Sequence, residues 1–413
     1  MATDKIQLQS QGIKRVLKRY KLYDAAAEYI WNSFDAQATK TEVIFERNVL
    51  GAIEKITVRD NGYGIDMEEL PEKFRPIFLS KKYSSKSDKN NTSKYHGKNG
   101  IGRLTFFTFA SHAEWTTVYR RADKQFRYSI NIDSEQLEVY TVSKRELTEA
   151  PSGTTVVFTN ISPRFTVEDF ITYLESEFSW YLELKSLQGC ELYIDNVLFD
   201  NRSVIAEKSV HEYSYGGFDF TVIFCRWRRK LNKEFSKFYY IDSFGEEVFK
   251  ENTTLNNKSD DFFHSVYIKS SLFDQFYFDA EPEQLTLEAY TKASPEFKFI
   301  RNEVEKLLIE KRAPFVKKNT EKLLTELRIN KAYPSLDHSP EDNARRERLD
   351  ELISALYYAE PRIFTKLSIL QQKLLVRMLD NMLTNQNTEQ LLEIIKGIVE
   401  LTPSEEQGIA NLI

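Results

Sequence analysis

Ala27-Glu28-Tyr29-Ile30-Trp31-Asn32-Ser33-Phe34-Asp35-Ala36 decides how the rest of this 413-residue chain is read. Around it, Ile13, Val16, Leu17, Tyr20, Ala26, Ala27, Ile30 and Trp31 recur at roughly helical spacing. Glu28 and Asn32 stand one helical turn apart, so both side chains leave the same face. A carboxylate and an amide then enter one pocket. The amide oxygen is a neutral ligand for a hard divalent cation, and the carboxylate can orient and deprotonate a water. Taken alone, such a pair more often belongs to an ordinary solvated helix face.

Two β-rich runs follow, Thr41 to Phe45 and Ile53 to Val58, and the second leads into the corner Asp60-Asn61-Gly62-Tyr63-Gly64. Asp, Asn and Gly tolerate left-handed backbone, so a plain turn is one reading. In the other, Asp60 at a strand end inside an apolar pocket accepts a hydrogen bond from an adenine amino group, and Gly64 lets backbone approach the base. From Lys73 to Lys98 the chain turns polar and reads as a mobile loop. Its lysines (Lys81, Lys82, Lys86, Lys89 and Lys94) also read as plain solvated charge. The loop ends on Gly97-Lys98-Asn99-Gly100-Ile101-Gly102, and the apolar stretch to Ala110 reads as a buried helix. Glycines that free backbone amides ahead of a helix N-terminus have the form of a phosphate cradle. The spacing is not that of a P-loop, since no G-x-x-x-x-G-K-[ST] occurs, nor of a Rossmann turn, since a polar loop and no strand precedes it.

Four β-like runs come next, ending in Gly153-Thr154-Thr155-Val156-Val157-Phe158, then a charged helix over Thr166 to Leu184 and a strand at Glu191 to Ile194. Helix first and sheet later predicts an α+β sandwich over residues 1–200. A smaller α/β unit is expected over 201–330. Its strands lie near Phe218 to Arg226, Phe238 to Ile241, Val266 to Ser270 and Gln275 to Phe278, and its long helix starts near Pro295, with Pro314 placed to kink it. Residues 331–343 hold two prolines, Asp337, Ser339 and Asp342 and read as a linker. The remainder, 344–413, reads as helical and is still so at Ile413, which suggests continuation in a longer protein.

A content of 41% hydrophobic and 29% charged residues, with 4 Trp, 22 Tyr and 29 Phe, describes a globular chain with a large core and excludes wholesale disorder. Lys and Arg number 57 against 62 Asp and Glu, so a net charge of -5 gives no overall field toward nucleic acid or an anionic membrane. Contact with DNA would need a local patch. Arg226-Trp227-Arg228-Arg229-Lys230 with Lys233 is one candidate, and a solvated hairpin end is the simpler reading. Cys190 and Cys225 sit in apolar, strand-like stretches, and no signal peptide or run of about 18 apolar residues occurs. The expected compartment is the cytoplasm, with no membrane contact. Five histidines without regular spacing give no zinc signature.

Each signal is weak alone, but their order is informative. Glu28/Asn32, Asp60 to Gly64, Gly97 to Gly102 and Gly153-Thr154 follow one another within a single domain length and together resemble the four motifs of the GHKL, or Bergerat-fold, ATPases. That superfamily includes the gyrase B subunit, the ninety-kilodalton heat-shock chaperones, sensor histidine kinases, MutL and MORC proteins. The resemblance is closest over Ala27 to Ala36 and covers about residues 10–200. It implies a Bergerat-type α/β sandwich that binds ATP with Mg2+, with Asn32 on the metal and Glu28 as general base. It implies Asp60 on adenine N6 with Thr154 assisting through water, and Asp35, Asn61, Gly62 and Gly64 as further pocket residues. Gly97, Gly100 and Gly102 would hold the phosphates, with Lys98, Asn99, Ile101 and Arg103 nearby, and 73–98 would be the lid.

Within the superfamily, sensor kinases lack the hydrolytic Glu four residues before the Asn, so Glu28 points to hydrolysis. No helical segment with a phospho-acceptor His precedes the domain in this sequence. The nearest pattern is that of the MORC, MutL and heat-shock-chaperone branch, where the resemblance implies a transducer domain that returns a cationic or polar side chain to the γ-phosphate. Lys292 is the preferred candidate because a cation stabilises transferring phosphate, with Gln284 the other; a plain surface lysine is the simpler reading. The expected function is Mg-dependent ATP binding and hydrolysis that closes the lid, dimerises the N-terminal domain and regulates a partner protein or nucleic acid. The alternative is a scaffold in which ATP only stabilises an assembly. DNA repair, chromatin-type clamping, chaperoning and bacterial antiviral defence all suit this architecture.

Overall fold

In the computed structural model the described residues are 10–74, 102–232, 234–256, 260–278, 290–334, 339–384, 388–398 and 403–412. The N-terminal apolar repeat folds as two helices, α1 (Ser10–Leu17) and α2 (Leu22–Asp35). The Lys21 backbone N–H donates to Asp24 Oδ2 at 3.3 Å, which fixes the start of α2. This helix buries Ala25, Ala26, Ala27, Tyr29, Ile30, Trp31 and Phe34, an unusually wide apolar face, because sheet lies on one side and a second helix on the other.

Strands β1 (Lys40–Arg47), β2 (Ile53–Asp60), β3 (His112–Arg121), β4 (Lys124–Asp133), β5 (Thr141–Val142), β6 (Glu146–Thr148), β7 (Gly153–Thr159), β8 (Glu191–Ile194) and β9 (Val197–Leu198) form one sheet. Its order is β5-β4-β3-β7-β2-β1-β8-β9, with β6 beside β4, and every pairing is antiparallel except β1 with β8. Alternation decides which face is inside: β7 buries Thr154, Val156 and Phe158, and β3 buries Ala113, Trp115 and Thr117. Onto that face Tyr29 of α2 packs edge-on at 4.6 Å from Phe158, with Phe109 4.9 Å from the same ring. Each such fully buried aromatic contributes on the order of 2 kcal/mol. After the short helix α3 (Leu70–Phe74), residues Gly102–Thr108 form a tight 3-10 turn in place of the α-helix expected there. The cause is local: Thr105 Oγ1 donates to Gly102 O at 2.6 Å and Thr108 Oγ1 to Thr105 O at 3.0 Å, both at the i−3 spacing. Helix α4 (Val167–Leu184) begins at Thr166, whose hydroxyl accepts from the Asp169 N–H.

A second sheet takes β10 (Ile205–Tyr215), β11 (Phe218–Trp227), β12 (Lys237–Ile241), β13 (Glu247–Asn252) and β14 (His264–Lys269) in the order β10-β11-β14-β12-β13, with β12 and β14 parallel. Two short strands, β15 (Phe276–Tyr277) and β16 (Tyr290–Thr291), pair beside it. The chain packs as two compact units, Met1–Glu251 with Ser265–Ser294 and Asn252–His264 with Pro295–Ile413. The first therefore holds both sheets, and the trace enters the second at Asn252, returns at Ser265 and leaves again at Pro295.

The second unit is helical: α5 (Pro295–Ile329), α6 (Pro340–Ala359), α7 (Arg362–Thr365), α8 (Ile369–Thr384), α9 (Thr388–Ile398) and α10 (Pro403–Ala410). Helix α5, read from sequence with the smaller α/β unit, packs here. It runs on through Pro314, at an exposed stretch where water can take the carbonyl that proline leaves unbonded. Val316, Leu323, Leu327, Leu349, Leu352, Ile353, Leu356, Phe364, Val376 and Leu379 form its core. Within this unit Arg312, 1% exposed, donates through Nε to Asp260 Oδ2 at 2.6 Å and through Nη2 to Tyr358 O at 2.9 Å, so a buried ion pair ties 252–264 to α5 and α6. Among the described residues no helix is long and apolar enough to cross a membrane.

Candidate nucleotide-binding site

The corner after β2 is built around the Asp60 carboxylate. Oδ1 accepts from the backbone N–H of Gly62 at 2.9 Å and of Thr154 at 3.1 Å, and Oδ2 accepts from Ser33 Oγ at 3.4 Å. Three segments far apart in sequence thus meet on one side chain. Burial pushes the Asp60 carboxyl up to about 6, and the bonds from Gly62, Thr154 and Ser33 only partly counter it. Oδ1 is filled by two amides, whereas Oδ2 holds one long bond and retains room for another donor.

Thr154 is buried, and its hydroxyl lies 3.2 Å from Thr117 Oγ1, which also accepts from the Ile65 N–H at 2.9 Å. Thr117 carries no motif, and Ser33, though inside the Ala27–Ala36 stretch, was given no role from the sequence. Gly64 sits at φ 75° with its α-carbon against β3, so that an added Cβ would meet Val118 C at 2.8 Å and Thr117 Oγ1 at 3.1 Å. Left-handed backbone costs a substituted residue about 1–2 kcal/mol, and the clash with fixed backbone adds to it. Gly64→Ala is therefore expected to lower the thermal midpoint of the first unit by several degrees, measured by scanning fluorimetry; an unchanged midpoint would show that β3 yields at no cost.

Asn61, expected to touch the cofactor, is exposed and bonds its own chain. Its Oδ1 accepts from the Thr39 and Lys40 N–H groups at 3.0 and 2.9 Å, and its Nδ2 donates to Thr39 Oγ1 at 2.9 Å, which anchors the start of β1. Gly62 is buried beneath it.

Helix α2 supplies Glu28, partly buried, and Asn32, exposed, from one face, with Asp35 partly buried near its end. A Cβ at Gly102 would overlap Glu28 Oε2 and fall 3.3 Å from its Cδ, so Gly102 lies directly against that carboxylate. Tyr29 locks the same junction from behind: its hydroxyl donates to Arg103 O at 2.9 Å and accepts from the Phe106 N–H at 3.2 Å. Thr105 Oγ1 reaches Ala25 O at 3.1 Å. Arg103 turns away from solvent, with Nη2 on Phe74 O and its guanidinium 5.2 Å from the Phe74 ring, and burial lowers it to about 10. Lys98, Asn99, Gly100 and Ile101, and all of the lid beyond Phe74, lie outside the described residues, as does Gln284.

Lys292 is placed beside β13, 3.7 Å from Glu251 Oε2 and 4.4 Å over the Phe249 ring. Of the basic run, Arg226 faces Glu207 at 3.5 Å, Arg229 bonds Glu175, Trp227 is buried and Lys230 lies 4.4 Å over Phe235, while Arg228 is exposed and Lys233 lies outside the described residues. Among the described residues no cluster of three or more His, Cys, Asp or Glu could hold a metal on its own. Mg2+ fits here on other terms, since Asn32 is an exposed neutral oxygen donor one turn from Glu28 and the remaining ligands of such an ion are water and phosphate.

Residues 20–161 match the family model for histidine kinase-, DNA gyrase B- and HSP90-like ATPases. That segment belongs to the GHKL ATPases, a nucleotide-binding class of ATPase type. Among solved structures, the ATPase region of Saccharomyces cerevisiae topoisomerase II is similar at 13% identity and a TM-score of 0.37, over 65% of this chain and 85% of that one. The N-terminal domain of a DNA repair protein is similar at 14% identity and 0.37, over 74% and 99%. No curated protein matches the chain.

Proposed function

We propose that this protein binds ATP with Mg2+ at the α2–Asp60–Gly102 site and hydrolyses it. One observation carries the reading: α2 touches both halves of the site, through Ser33 on Asp60 and through Glu28 against Gly102. Adenine N6 donates to Asp60 Oδ2 and Asn32 holds the metal. Glu28, close to the glycine loop, orients the attacking water and takes its proton. The metal, when bound, neutralises charge on the β- and γ-phosphates. Residues 1–200 act as nucleotide domain and 201–330, without α5 and the 252–264 excursion that pack in the helical unit, as transducer, with 73–98 as lid and Lys292 as the γ-phosphate sensor. In this reading ATP closes the lid and pairs two chains through their first 200 residues, and the closed dimer acts on a partner protein or nucleic acid in the cytoplasm.

Glu28→Gln keeps size and removes the base. Phosphate release is expected to fall by about 10²–10⁴-fold, while ATP still raises the thermal midpoint by mass action. Since ATP and ADP differ only in the γ-phosphate, this variant should sediment as a dimer in ATP and as a monomer in ADP. Wild-type chain that binds ATP without turnover, and whose mass is the same in both nucleotides, would favour the assembly scaffold instead.

A further inference from the structure

Behind the pocket, Trp31 of α2 is caught by α4. Its ring lies 4.4 Å from Phe178 and 5.0 Å from Tyr181, and its indole Nε1 donates to Glu177 Oε1 at 2.9 Å. Trp31 immediately precedes Asn32 and stands three residues from Glu28, so whatever sets the indole sets the rotation of α2 about its own axis. The other oxygen of that carboxylate, Oε2, accepts from Asn232 Nδ2 in the β11–β12 connection of the second sheet. The same connection is fastened to α4 by Arg229 on Glu175, and its Leu231 is fully buried. One partly buried carboxylate therefore takes one hydrogen bond from the nucleotide helix and one from the β11–β12 connection.

We infer that Glu177 is a positioning residue for the ATPase site, through which the Asn232 connection of the second sheet sets the placement of Glu28 and Asn32. The inference rests on the hydrolytic reading of that site. Both partners are donors and both bonds are charge-assisted, so neither can be exchanged for an acceptor without repulsion. Asn232 holds φ 34°, a backbone state that Asp and Gly also tolerate, so the amide can be changed without straining the connection. In Asn232→Asp a carboxylate faces a carboxylate and Glu177 is pushed off its position. In Asn232→Gly the bond is simply absent.

The test is steady-state ATP hydrolysis by the full chain, well below its thermal midpoint, for Asn232→Asp, Asn232→Gly, Trp31→Phe and the pair Asn232→Gly with Trp31→Phe. Displacing a catalytic group by a fraction of an ångström costs about tenfold in kcat and little in binding. The expected result is thus a kcat loss of about that size in Asn232→Asp with KM for ATP within about twofold, a smaller loss in Asn232→Gly, and losses in the double variant that do not multiply. A merely structural bond would lower the thermal midpoint and leave kcat as it was. Unchanged kcat in Asn232→Asp, or losses that multiply in the pair, overturns the inference while the hydrolytic reading stands. Absence of turnover in the unmodified chain removes the reading and the inference together.

Discussion

Asp60→Asn is expected to fold and to lose ATP and ADP binding. The orientation of the new amide is forced. Position Oδ1 must accept from the Gly62 and Thr154 N–H groups, so the amide oxygen goes there and the NH2 takes the place of Oδ2. The pocket then offers a donor where the adenine amino group also donates, and a buried donor facing a donor costs roughly 1–3 kcal/mol on top of the lost bond. Neither nucleotide should raise the thermal midpoint of this variant; a shift equal to that of wild type would place adenine recognition elsewhere. The carboxyl, raised to about 6 in the folded domain, adds a pH signature. A raised folded value means that the folded state holds the proton more tightly than the unfolded one. Asp60's contribution to stability is accordingly present below the usual carboxylate range and lost as pH rises through about 6. Binding runs the other way, because the protonated carboxyl gives up its acceptor. Between pH 7.5 and 5.5, measured against Asp60→Asn, the apo midpoint should gain while the ATP-induced shift shrinks.

Arg312→Met carries the largest expected loss of stability. Asp260 Oδ1 accepts from the Phe262 N–H at 3.1 Å, and Oδ2 has Arg312 at 2.6 Å. Removing the guanidinium leaves a carboxylate that is 5% exposed with an uncompensated charge, and breaking a buried pair in this way costs about 3–5 kcal/mol. Hydrogen exchange over α5, α6 and α8 should accelerate by two orders of magnitude or more. Arg312→Met with Asp260→Leu should recover most of the loss, since an apolar pair of similar volume fits as well as an ionic one. Protection as in wild type for the single variant would show that water reaches Asp260.

The parts of this protein that were legible in its sequence are those where the local pattern and the tertiary environment agree. Strands β1, β2, β7 and β8 and helix α4 announce themselves by alternation, by the glycine corner and by Thr166. Strand β10 does not: Glu207, Lys208, His211 and Glu212 give it no apolar face, because it is an edge strand with no residue fully buried. Strand β13 misleads for the opposite reason, since Glu247 and Lys250 are buried charges, the lysine paired with Glu234 at 3.1 Å. In the candidate site, the motif positions stand out in the sequence, whereas the side chains that bond them together do not. Tyr29 and Ser33 lie inside the Ala27–Ala36 stretch, yet their bonds, like those of Thr117 and Glu177, run to partners tens of residues away that the local text does not show. The bonds of the Asn61 amide to Thr39 and Lys40 were not legible for a related reason, since only pairing of β1 with β2 brings those amides to it.

The excursion of Asn252–His264 between β13 and β14 bears on how this protein can be divided or recombined. A domain appended at one end can be exchanged with a single crossover. Here three junctions separate the units, and the thirteen residues between the first two carry Asp260 and Phe262 into helical surroundings. A chain stopped at Ser294 would keep that segment and strip it of Arg312, and a helical fragment begun at Pro295 would lack the carboxylate its arginine is built around. A chimera that keeps either unit and replaces the other must therefore carry the 252–264 segment to the side on which Arg312 resides.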